Sequence, residues 1–174
     1  MRWFPYFILA YIALGVQSGL GAFAQVGRAT PNFVLLGVVF IAMNAKRDAA
    51  LLGCFMLGLM QDLLTNSPLG LWAMAYGIVG LFVVNTQEVV YRDHFLTHFT
   101  LALAGGLISG AILLIHGWVY PILHPTQRPG SPGFLAVIAS AFYTGLLAPV
   151  VLGVLQRSRS VFGFKSSRRA SMSR

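Results

Sequence analysis

Residues 96–123 read LTHFTLALAGGLISGAILLIHGWVYPIL, 28 positions without an Asp, Glu, Lys or Arg. A helix needs about 20 predominantly apolar residues to cross a bilayer, and this segment exceeds that length. It predicts a transmembrane helix. Similar apolar stretches lie on either side of it, at 3–24, 32–45, 49–64, 69–86 and 134–155. Between them fall short segments that are polar or carry Pro or Gly, at 27–31, 46–48, 66–68, 91–94 and 124–133. The expectation is an all-α polytopic membrane protein with about six transmembrane helices. They form one domain over 1–156, followed by a basic Ser/Arg-rich cytoplasmic tail over 157–174.

Composition points the same way. The 174 residues are 57% hydrophobic and 9% charged, against roughly 25% charged in soluble domains, and mean hydropathy is +0.76. Six spans leave no room for a soluble domain, so the protein's work belongs in or beside the bilayer. No repeat of 20 to 50 residues and no low-complexity linker is present. The one cysteine, Cys54, lies in an apolar run and reads as a core thiol with no intramolecular partner. Near the N-terminus, Arg2, an apolar run and Ala22-Phe23-Ala24 imitate a signal peptide. The run continues past Gln17 and Ser18 to Phe23 and reads as a retained first helix.

Charge sets the orientation. Six spans with both termini inside put Arg2, Lys46, Arg47, Arg92, Arg157, Arg159, Lys165, Arg168, Arg169 and Arg174 on the cytoplasmic face, leaving Arg28 and Arg128 outside. The second stretch is the weak point. Its 14 residues rise only about 21 Å, short of a roughly 30 Å hydrocarbon core. Extension to 29–45 gives 17 residues, near the lower limit for crossing, and favours six spans. A five-span arrangement with the N-terminus outside exchanges Arg2 for Arg28 and fits the charges equally well. Charge therefore places the tail inside without deciding the N-terminus, which the six-span reading also places inside. Gly15-xxx-Gly19 and Gly106-xxx-Gly110 are candidate helix-packing faces.

Few residues suggest chemistry. Asp62 is the one carboxylate inside a span, near the outer end of the third helix, and an ionisable residue there invites a functional explanation. The alternatives are a shallow carboxylate bonded to Thr65 or Ser67, a packing or partner-contact role, and a proton or ligand role. One carboxylate does not make an acid–base pair. His94 and His98 stand on one helical face but provide only two metal ligands, so interfacial histidines and no metal are expected. Ser109 imitates a rhomboid Gly-x-Ser-Gly pattern with its first Gly displaced by one position and no base beside it. Phosphate-binding Gly loops are absent, and no cofactor is expected. Arg157, Arg159, Lys165, Arg168 and Arg169, with Phe162 and Phe164 among them, suit the anionic cytoplasmic leaflet rather than nucleic acid.

One region is distinctive. Gly58-Leu59-Met60-Gln61-Asp62 ends the third helix, and Ser67-Pro68-Leu69-Gly70-Leu71 opens the fourth after a short polar turn. With Pro31 before the second helix, this resembles the MreD family of rod shape-determining membrane proteins. The architecture is similar over most of the chain and the motif over about twenty residues; the Ser/Arg-rich tail is longer than usual in the family. The resemblance implies a non-enzymatic scaffold in the inner membrane that binds MreC directly. MreB, a RodA-type glycosyltransferase and a class B penicillin-binding transpeptidase would belong to the same peptidoglycan-synthesising assembly. Gly58, Leu59, Asp62, Pro68, Leu69 and Gly70 would form its partner-binding or structural corner. The resemblance also implies a helical fold similar to the substrate-binding component of energy-coupling-factor transporters.

That last point raises the alternative of a vitamin-binding transport component. Such a protein needs a concave site with convergent polar groups. Gln17, Gln25, Asn32, Asn85 and Gln87 stand near helix ends rather than midspan, and the Ala-x-x-x-Ala pattern of a coupling helix is not evident in the first span. The helices therefore offer few groups for such a site.

Overall fold

The computed structural model describes residues 3–21, 23–65, 67–86, 95–123 and 133–157. Among these residues the chain forms six α-helices: α1 Trp3–Leu20, α2 Phe33–Asn44, α3 Arg47–Leu64, α4 Leu71–Thr86, α5 Phe95–Leu123 and α6 Phe134–Arg157. All six apolar stretches are helical. Helices α5 and α6 are long and apolar enough to cross a membrane.

The first two helices are shorter than the sequence suggests. Helix α1 stops at Leu20, and the chain then folds back through a two-residue turn in which Val26 and Ala29 exchange both backbone hydrogen bonds at 3.0 Å. Gly27 takes φ +61° there, a left-handed conformation that costs glycine little. This turn removes 29–31 from α2. Pro31 disfavours helix at the residue before it, and Asn32 is extended at φ −107° with its side chain capping the Leu35 N–H. Helix α2 is therefore 12 residues, about 18 Å long, and the 17-residue span over 29–45 does not form.

The short helix lies at the centre. Ten consecutive residues, Val34 to Met43, are buried, and α1, α3, α4, α5 and α6 all pack against it. An all-round apolar surface suits a helix enclosed by others. The outer helices instead turn large apolar side chains outward: Tyr11 on α1, Met74 and Ile78 on α4, Ile115 and Trp118 on α5, Phe142 and Val150 on α6. In water such a surface would be an aggregation hazard; against lipid it is matched.

Helices α3 and α4 form one close hairpin, and α5 and α6 another. Glycines permit both. A Cβ on Gly58 would stand 2.6 Å from the Ala73 Cα, and one on Gly80 2.9 Å from the Cys54 Sγ. One on Gly106 would meet the Ala141 Cβ at 2.9 Å, and Gly110 faces Val137 in the same way. The Gly106/Gly110 face is thus a real packing face. Gly15 and Gly19 meet nothing within 4 Å, because α1 packs only on α2 and α3 among the described residues.

Candidate functional site: the polar end of the bundle

The α3–α4 corner is built around Asp62. Its side chain is buried at 2% exposure, and its two oxygens face the first turn of α4. Oδ2 accepts from the Gly70 N–H at 2.9 Å and the Ala73 N–H at 3.1 Å; Oδ1 accepts from the Trp72 N–H at 3.0 Å. Ser67 Oγ stands at 3.5 Å, the outer edge of bonding range. The first N–H groups of a helix have no partner within it, and its positive end favours an anion. Asp62 supplies both needs from another helix. Gly70 completes the corner with φ +97°, and Gly58 lets the backbones come together below it.

Of the residues the sequence marks, Gly58, Asp62 and Gly70 thus act in one place. Leu59 is half-buried one turn away on α3, while Pro68 and Leu69 are exposed on the turn, Leu69 at 72%. Arg157 is the exposed last residue of α6. Arg159, Lys165, Arg168 and Arg169 lie outside the described residues, as does His94. His98 is buried within the bundle at 5% exposure, with its Nε2 2.9 Å from Gln156 Nε2 of α6. Ser109 is buried and donates to the Gly106 carbonyl of its own helix. No cluster of three or more His, Cys, Asp or Glu occurs among the described residues.

Beside the corner lies a polar network that the sequence reading did not foresee. Gln17 of α1 accepts from the Phe33 N–H at 2.7 Å through Oε1 and donates to the Pro31 carbonyl at 3.3 Å. Thr144 of α6 accepts from the Asn32 N–H at 3.0 Å, and Ser140 of α6 accepts from the Thr30 N–H at 3.0 Å. Tyr76 of α4 bonds both Asn32 and, at 2.8 Å, the Gln61 Oε1 of α3. The N-terminus of α2 is therefore held by side chains of α1, α4 and α6.

These groups surround a cavity of about 430 Å³. It is lined by Gln17, Ser18 and Arg28, by Asn32, Gln61 and Trp72, and by Ser109 of α5 and Ser140 and Thr144 of α6. The few polar groups marked in the sequence are thus joined by others around one concave site. Gln17 and Asn32 do stand at helix ends, but those ends meet at one level. The C-terminal ends of α1 and α3 and the N-terminal ends of α2, α4 and α6 all reach this cavity. The signal that could have located it is Pro31-Asn32 ahead of an apolar run, a helix start that, inside a bundle, needs polar partners.

No curated protein and no solved structure matches the chain. One family does: the model of the rod shape-determining protein MreD matches residues 1–158, which include α1 to α6 and both the Asp62 corner and the cavity. The chain belongs to the MreD family of rod shape-determining membrane proteins.

Proposed function

We propose that the protein is a non-enzymatic scaffold of the wall-elongation machinery, seated in the inner membrane with six passes and both termini cytoplasmic. It would bind MreC directly, in an assembly that also holds MreB, a RodA-type glycosyltransferase and a class B transpeptidase. Membership of the family over residues 1–158 carries this reading. The corner supplies a mechanism. Asp62 holds the α3–α4 turn rigid, and the turn presents Leu69 as an exposed apolar contact. A rigid, preorganised apolar anchor binds at lower entropic cost than a mobile one.

Depleting the protein from its rod-shaped host in vitamin-rich medium should round and widen the cells progressively. Leu69→Asp, an exposed substitution, should leave the fold intact and reduce capture of MreC. Retained MreC capture by Leu69→Asp would remove the turn as the contact.

The cavity favours a second reading, a small-molecule-binding membrane component with a fold like that of energy-coupling-factor substrate-binding proteins. Its convergent amides and hydroxyls are what such a site needs. Under that reading depletion leaves shape unchanged, and growth fails only when a vitamin is withdrawn.

A further inference from the structure

The scaffold reading makes no use of the cavity, yet the cavity has the chemistry of a binding site. Gln61 is 6% exposed and lines it. Its Oε1 accepts from Tyr76, while its Nε2 has no hydrogen-bond partner among the described residues. A buried amide N–H left unpaired is costly, and this one stands at a space large enough to admit an acceptor. Ser140 Oγ and Ser109 Oγ share the same space. Among the described residues Arg28, at the tip of the 26–29 turn, is the one ionisable side chain lining the cavity, and no carboxylate lines it. The site thus offers amide and hydroxyl groups and one cation, a set suited to an acceptor-rich group of single negative charge.

The surroundings indicate what carries that group. Helix α1 packs on α2 and α3 but not on α5 or α6, so the cavity lies in a gap in the outer ring of helices. A second, apolar space lies along α1 and α3, lined by Phe7, Ile8, Tyr11, Leu14 and Met60. Leu14 is one turn from Ser18 on α1, and Met60 adjoins Gln61 on α3, so the same two helices contribute to both spaces. From Ser18 to Phe7 is about 16 Å along α1 at 1.5 Å per residue, so one helix carries polar lining near its end and apolar lining along its length. We propose that this site binds a membrane phospholipid, its phosphate-bearing headgroup at Gln61 and Arg28 and an acyl chain in the Phe7–Met60 groove.

The test uses the full chain in detergent, stripped of endogenous lipid and titrated with phosphatidylglycerol, with bound lipid followed by native mass spectrometry. Saturable one-to-one binding is expected, tighter than for zwitterionic phosphatidylethanolamine. Gln61→Leu should weaken it about tenfold, the loss expected for a hydrogen bond to a charged group. Arg28→Gln, an exposed change that leaves the fold alone, should abolish the preference for the anionic lipid. Binding unchanged in both variants would mean non-specific association at the detergent boundary and would overturn the proposal. So would displacement of the lipid by glycerol 3-phosphate at equal concentration, which would make the site one for a soluble anion. Neither result bears on MreC capture or cell shape, so this inference and the scaffold reading fail separately.

Discussion

Asp62 accepts three backbone N–H groups that have no other partner at the start of α4. In Asp62→Ala the Ala73 N–H becomes a buried donor without an acceptor, at about 1–3 kcal/mol, and the half-buried Gly70 and Trp72 N–H groups lose the same partner at a smaller cost. The variant should lose about 1–3 kcal/mol of stability or more, read as a lower unfolding midpoint in detergent. Asp62→Asn separates this structural role from a direct contact. Asn can keep the oxygen that accepts from Gly70 and Ala73 but turns its NH2 toward the Trp72 N–H, so it should lose part of the same stability. An Asn variant as stable as the parent but unable to capture MreC would assign Asp62 to the interface instead. The sequence singled out Asp62 because a carboxylate inside a span demands a partner. It also suggested Thr65 or Ser67, the neighbours in the chain, whereas the partners are mainly the backbone of the next helix. Backbone groups carry no sequence signal, so that part was not legible.

Elements were largely legible because a helix in lipid must be apolar over most of its length. The ends of α3, α4, α5 and α6 fall within two residues of the expected limits. What apolarity cannot reveal is which helix lies inside, since lipid and protein interior demand similar side chains. Helix α2 was thus a doubtful span by length, when its shortness reflects enclosure on every side. Glycine spacing was similarly ambiguous: Gly106/Gly110 and Gly15/Gly19 share one pattern, and only the first pair is packed. Gly58→Ala should force the α3 and α4 backbones apart and cost roughly 1–3 kcal/mol, as overpacking does. Gly15→Ala, with open space before it, should be neutral or slightly stabilising because alanine favours helix. Paired thermal unfolding of the two variants checks this, and equal destabilisation would contradict the packing.

At the scale of the molecule, helices alternate in direction, and the cavity gathers the C-terminal ends of α1 and α3 and the N-terminal ends of α2, α4 and α6 at one end of the bundle. Lys46, Arg47 and Arg157 belong to the other. Under the six-span reading the cavity end faces outward. The polar residues that build it are spread over 17, 32, 61, 76, 140 and 144, which no local window of sequence brings together. Their convergence is a property of the bundle, not of any one helix.

The solitary thiol of Cys54, fully enclosed between α3 and α4 with its S–H directed at the Val38 carbonyl 3.6 Å away, gives this chain a natural silence toward maleimides. Reporter cysteines can therefore be introduced one at a time without first removing a native residue. In intact spheroplasts Ser67→Cys should react with a membrane-impermeant maleimide, whereas Lys46→Cys should react only after permeabilisation; the opposite pattern would invert the orientation. The wild-type chain serves as its own blank, and the same two reporters would register any movement of the α3–α4 turn when a partner occupies it.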